Sequence, residues 1–460
     1  MELTAGHVWL MVAAALVLFM TPGLAFFYGG MTRAKAALNM MMMSFISIGI
    51  VSVVWVLWGY SMTGGEGFLQ IVGNPFTSFG LEGVNTADTP DGLILVGYGA
   101  TFAIITVALI SGAIADRAKF GAWSVFVPVW VTLVYCPLAY MVWGGGLFGE
   151  EGAIGQALGP AIDFAGGTVV HINAGVAALI LVLIIGNRKG FGKDPNHRPH
   201  NIPFVMLGAA ILWFGWFGFN GGAATTAEQG GLIWVNTLAA PAAAMLGWLI
   251  TERIRDGHPT SLGAASGVVA GLVAITPACA NVSPIGALGL GLIAGAASAL
   301  AVGLKFRWGF DDSLDVVGVH LVSGIIGTVA LGFIALPADG VGGGLFYGGG
   351  LTQLWAQLAA AGIAIAYSAV MTALIAFAIH KTMGFRVSQE QEVVGVDLSL
   401  HAETAYEFGV GGHGGSFTPL HELITGKAQG EAAAAPAAET ADATSNGQKT
   451  AAAGKESVEA

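Results

Sequence analysis

The sequence predicts an all-α, polytopic membrane protein with eleven transmembrane helices, and three observations predict it. The 460 residues are 55% hydrophobic and only 10% charged, with a mean hydropathy of +0.73, a composition that excludes a soluble globular domain. Apolar runs of 17 or more residues recur eleven times. All 17 Lys and Arg residues lie outside these runs, on alternate connections or in the C-terminal part. The 71 glycines suit membrane helices, where small residues let backbones approach closely.

The runs fall near 7–28, 39–60, 93–115, 121–143, 166–186, 203–219, 231–251, 261–279, 284–304, 316–336 and 353–380. Arg33 and Lys35 follow the first, Arg117 and Lys119 the third, and Arg188, Lys189, Lys193 and Arg198 the fifth. Arg253 and Arg255 follow the seventh, Lys305 and Arg307 the ninth, and the remaining basic residues follow the eleventh. The positive-inside rule then places the odd-to-even connections and the C-terminus in the cytoplasm and the N-terminus outside the cell's plasma membrane. Met1 leads into the first run with no basic segment or small-residue cleavage site, so that run is read as a retained span. The opposite connections carry Glu66, Glu82, Asp88, Asp91, Glu150, Glu151, Glu228 and Asp339, and no Lys or Arg. They read either as solvated loops or as a field that concentrates cations.

Spans one to five and six to ten read as an inverted repeat. Phe27-Tyr-Gly-Gly closes span one as Phe219-Asn-Gly-Gly closes span six. Asp163, seven residues, His171 and then Gly175 is echoed by Asp312, seven residues, His320 and then Gly324. An odd number of spans per half inverts the second half. Each histidine then lies about 12 Å from its own face at 1.5 Å per residue, so the two rings approach one another near the middle of a roughly 30 Å core. Span eleven lies outside the repeat and is long enough to run tilted. The predicted organisation is a transporter domain over 1–380, an ordered cytoplasmic segment over 381–424 and a disordered Ala-rich tail over 425–460.

Of ten histidines, only His171 and His320 fall deep in spans. A lone intramembrane histidine is usually a structural hydrogen-bonder, but a matched pair marks a site. Two neutral imidazoles can share one hydrogen bond and leave their other nitrogens to face a solute. Asp163 before Gly-Gly-Thr has the form of a helix cap, and its carboxylate also adds negative potential at the membrane surface. Phe102, Trp143 and Phe219 share its level, where their rings could hold a small cation, but by spacing alone interface anchoring is the stronger account of all three. The net charge of −11 supplies no basic patch for nucleic acid, and Cys136 and Cys279 indicate no disulfide framework.

Several stretches together resemble the ammonium transporters of the Amt/Mep/Rh family, in its bacterial-type Amt branch. They are Asp163 to Gly175, Met141-Val-Trp-Gly-Gly-Gly, Gly215-Trp-Phe-Gly-Phe-Asn, Thr276-Pro-Ala-Cys and Asp315-Val-Val-Gly-Val-His. The resemblance covers residues 7–407 and implies a homotrimer of eleven-helix subunits, each with its own pore. It further implies an outer cation site at Trp143 and Phe102, recruitment supported by Asp163, a gate of Phe102 stacked on Phe219, and a pore pair of His171 and His320. Where many Amt proteins place a serine beside the outer site, this chain has Ala223. It implies too a PII-type signal protein at the cytoplasmic face, engaging the segment Gly384 to Tyr406.

Ammonium and potassium are alike in size and charge, so a pore must separate them by chemistry: ammonium donates directed hydrogen bonds and can lose a proton. The expected function is transport of ammonium or ammonia, and of methylammonium, across a lipid membrane, without enzymatic activity or a cofactor. The alternatives are an ammonium sensor with little flux, an Rh-like ammonia gas channel, and a redox protein with haem between the two histidines.

Overall fold

In a computed structural model of the chain, the described residues are 2–86, 91–193, 198–338 and 343–406. Eleven apolar helices carry the fold: α1 Ala5–Met31, α2 Ala34–Gly59, α3 Gly92–Ile114, α4 Phe120–Trp143, α5 Gly167–Ile185, α6 Ile202–Gly221, α7 Ala227–Asp256, α8 Ser261–Ile275, α9 Pro284–Trp308, α10 Val317–Ile334 and α11 Thr352–Thr382. All but α8 are long and apolar enough to cross a membrane. A two-stranded ribbon, Gly67–Phe68 with Val72–Gly73, lies between α2 and α3.

Helix starts follow local chemistry. Asn201, Thr226, Thr260 and Ser283 each accept a hydrogen bond from a backbone N–H of the first turn they precede, and Pro203 and Pro284 occupy first-turn positions where no N–H is needed. The cap at Thr226 and the left-handed Gly257, at φ 85°, make α7 a 30-residue helix, longer than the expected 231–251. The eighth span departs the other way. Its helix has 15 residues and ends at Ile275, short of the expected 279, because Pro277 cannot donate to the helical ladder. The Pro277 carbonyl instead accepts from Phe164 N–H at 3.1 Å, so the broken end holds the loop that carries Asp163.

The halves α1–α5 and α6–α10 run in opposite directions. Arg188, just past the end of α5, binds Asp311, just before α10, with Nη2–Oδ1 at 2.7 Å. Asp163 precedes α5 at the far end of that same helix. α5 and α10 cross where each carries a glycine four residues after its histidine. A Cβ on Gly175 would stand 2.6 Å from Leu321, and one on Gly324 would stand 3.2 Å from the His171 Cβ. α7 and α9 pack as closely, with Gly291 and Gly295 against the carbonyls of Ala240 and Ala244. α11 clamps the halves from outside the repeat. Its buried Gln357 bonds both the N–H and the C=O of Ile162, each at 2.8 Å, and the Thr328 carbonyl at 3.0 Å.

The face rich in Lys and Arg carries a buried ion network. Asp116 meets Arg33 at 3.0 Å and Arg188 at 3.3 Å, while Arg117 donates to Ser313 and to the Asp311 carbonyl, both at 2.6 Å. Burial alone raises the Asp311 carboxyl, but Arg188 and Arg117 hold it below its ordinary value. Residues 385–406 pack on this face. The Asp397 carboxylate accepts from the N–H groups of Leu38 and Asn39 at 3.0 and 2.7 Å, capping α2, and Glu392 binds Arg386 at 2.8 Å and the Lys189 N–H at 2.7 Å. Of the expected ordered segment 381–424, residues 407–424 lie outside the described residues, as do the 425–460 tail, Asp88 and Asp339.

Candidate functional site

The site is built on two interrupted helix starts. Gly167–Ile172 in α5 and Val317–Leu321 in α10 are π-helical, wider than an α-turn, and each contains one of the paired histidines. The first turn is held by Asp163, whose carboxylate accepts from the N–H groups of Gly166, Gly167, Thr168 and Val169 and from the Thr168 hydroxyl. Gly166 makes this possible with φ 114°, a backbone that side chains avoid. Asp312 does the same for the second turn, accepting from Val316 and Val317 at 3.1 and 2.7 Å. Burial, with Asp315 beside it, pushes the Asp312 carboxyl up to about 6 against the opposing effects of Lys305 and those amides.

These turns bring His171 and His320 together, with Nδ1 to Nδ1 at 3.3 Å and ring centroids 5.4 Å apart. Only one of the two Nδ1 atoms can carry the shared proton. The ring that donates it has an accepting Nε2, and the other ring has an Nε2–H that donates. His171 Nε2 is buried and has no hydrogen-bond partner among the described residues. The His171 ring stacks on Trp216 at 5.5 Å and 21°, and Trp216 is fixed by its Nε1–H to Thr276 Oγ1 at 2.8 Å. The cavity beside the pair is about 10 Å³, lined apart from the imidazoles by apolar side chains such as Ile105, Leu109, Leu212 and Val269. That is room for about one water.

A file of rings leads from the opposite face to this pair. Trp143 meets Phe102 edge to face at 6.1 Å, Phe102 stacks on Phe219 at 4.2 Å and 17°, and Phe219 lies 6.2 Å from His171. Beyond the stacked phenyls a cavity of about 310 Å³ is lined by Tyr98, Phe102, Tyr135, Trp143, Phe164 and Ala223 among others. Ala223 adds no hydroxyl to that wall. Asp163 supports it indirectly: its carbonyl accepts from Trp143 Nε1–H at 2.7 Å, while its carboxylate is turned into the helix start.

The structure thus brings Phe102, Trp143, Asp163, Phe219 and Ala223 together at one end of the file of rings and His171 with His320 at its other end. Sequence reasoning missed Tyr98, whose ring lies 4.9 Å from Phe102 and whose hydroxyl donates to the Phe219 carbonyl at 2.8 Å. The signal was present, because Tyr98 is one helical turn before Phe102. Trp216 likewise precedes Phe219 by three residues on α6.

The chain is similar to known proteins over most of its length. The family model of the Ammonium Transporter Family matches residues 8–406. An ammonium transporter of Mycobacterium bovis is 52% identical over 431 residues, covering 87% of this chain and 90% of that one. Among solved structures, Mep2 of Candida albicans superposes with a TM-score of 0.77 at 32% identity, covering 84% of this chain and 87% of that one. A protein described as a sensor Amt protein superposes with a TM-score of 0.79 at 28% identity, covering 86% and 98%. With ten apolar helices of spanning length and a shorter eleventh among the described residues, the chain is a polytopic membrane protein and belongs to the ammonium transporter family.

Proposed function

We propose that the chain moves ammonium across the plasma membrane by loading the cation at the outer aromatic cavity, stripping a proton at the stacked phenyls and passing ammonia beside the histidine pair. The observation that carries this reading is the file of rings from Trp143 through Phe102 and Phe219 to His171, ending in a cavity with room for about one water. A unit charge pays a heavy desolvation penalty in such a space, whereas neutral ammonia does not. Each π face can hold a desolvated cation by about 0.5–2 kcal/mol. Potassium has no proton to give up, so it stops at the cavity.

The proton released from ammonium crosses by its own route, with the accepting and donating Nε2 atoms of the pair as its relay, so that net transport is of ammonium and carries charge. Current recorded on adding ammonium to reconstituted protein tests this, and transport of methylammonium without any current would contradict it. The basic face is the cytoplasmic one by the positive-inside rule, with the N-terminus outside.

The assembly is proposed to be a homotrimer with one pore per subunit, to be checked by native mass measurement in lipid. A PII-type signal protein is proposed to dock on the cytoplasmic face through residues 384–406, and unchanged docking after their deletion would exclude that surface. The sensor reading has less support: the likeness to a sensor protein lies in the shared helical core, at lower identity than the likeness to a named transporter.

A further inference from the structure

The two halves close their fourth helices with different chemistry at equivalent places. Trp143 is the last residue of α4, and its Nε1–H donates to the backbone carbonyl of Asp163 at 2.7 Å. Lys305 lies in the last turn of α9, and its Nζ donates to the backbone carbonyl of Asp312 at 3.0 Å. Asp163 and Asp312 are themselves equivalent, each capping the π-turn of a pore histidine and each eight residues before it. Trp143 and Lys305 therefore perform the same anchoring task on opposite faces of the inverted repeat.

What they present to the path differs. Trp143 offers a neutral π face beside the 310 Å³ cavity, and that face attracts a free cation. Lys305 is itself a primary ammonium, buried at 5% exposure, with its Nζ 2.6 Å from Asp315 Oδ1. Asp315 reaches it from a left-handed backbone at φ 63°. Two cavities on the basic face, of about 150 and 460 Å³, are both lined by Lys305 and Asp315, so the ion pair stands between them. The carboxylate and carbonyl that could receive a transported ammonium at this mouth are already filled by a tethered one.

We infer that Lys305 is a built-in occupant of the inner mouth that keeps cytoplasmic ammonium from loading there, so the pore takes up the external cation at much lower concentration than the internal one. This rests on the transport reading above. Because the pathway is passive, at zero membrane potential the ratio of maximal rate to half-saturation is the same from both sides. The asymmetry then appears in the two half-saturation values, with maximal rates scaled to match.

The test compares labelled methylammonium uptake by right-side-out and inside-out membrane vesicles holding the full chain, with the potential collapsed. In the wild type, half-saturation from the cytoplasmic side is expected to be about tenfold higher than from outside, since a factor of ten corresponds to one modest charge repulsion. Lys305→Met frees Asp315 and the Asp312 carbonyl, and should lower the cytoplasmic value about tenfold while leaving the external value within about twofold. Lys305→Arg should keep the asymmetry. The double variant Lys305→Met with Asp315→Asn should not gain cytoplasmic affinity, since the freed carboxylate is gone. Equal half-saturation from both sides of the wild type overturns the inference even if the lysine variants do not fold, and so does an equal shift on both sides in Lys305→Met. Absence of uptake in both wild-type vesicle types instead contradicts the transport reading itself.

Discussion

His171 and His320, 149 residues apart in the chain, face one another through their Nδ1 atoms at 3.3 Å. Each ring gets there by the same device: an aspartate eight residues earlier caps a π-turn, and a glycine four residues later lets the opposite helix close in. One proton fills the contact, and two would place N–H against N–H. The pair is therefore built to remain singly bridged and to present one donor and one acceptor to whatever occupies the lumen.

Replacing Trp143 by Leu removes the π face at the outer cavity and the bond to the Asp163 carbonyl. Half-saturation for methylammonium should rise by about 2- to 30-fold, the equivalent of 0.5–2 kcal/mol. Concentration-dependent uptake into proteoliposomes measures this.

Ala223→Ser should act in the opposite direction. It adds a hydroxyl acceptor to the wall of the 310 Å³ cavity, where one hydrogen bond is worth about 1 kcal/mol. Half-saturation should fall about fivefold in the same assay.

Asp163→Ala removes the acceptor for four backbone N–H groups and the Thr168 hydroxyl at once. Loss of a cap costs about 0.5–2 kcal/mol, and buried N–H groups left unpaired add to that. A lower melting temperature together with lost uptake is expected, and Asp163→Asn should fall between this variant and the wild type, because its amide retains a single accepting oxygen.

Much of this was legible in advance. Eleven dry runs, alternating basic connections and the echoed Asp-His-Gly spacing fixed the helices, their opposed halves and the meeting of two distant histidines, because desolvation and helical rise leave few other solutions. The short α8 was less visible, since Pro277 stands in a run that is apolar to its end. The equivalence of Trp143 and Lys305 was hidden by connection length: Asp163 stands 20 positions after Trp143, but Asp312 only seven positions after Lys305. The clamp by Gln357 could not be read either. A glutamine in an apolar helix announces a partner without naming it, and here the partner is the loop before Asp163.

Asp397→Ala should release residues 385–406 from the basic face, since the carboxylate caps α2 through Leu38 and Asn39. A loss of about 1–2 kcal/mol at that contact predicts faster proteolysis of the segment and little change in the melting of the helical core.

The most direct measurement is uptake of labelled methylammonium by liposomes containing the purified full chain, comparing the wild type with His171→Ala and His320→Ala, each verified as folded. Saturable uptake in the wild type and its loss, or a change in its charge per transported molecule, in both variants is the expected result. Wild-type rates and charge stoichiometry unchanged in folded variants would contradict a path through the histidine pair.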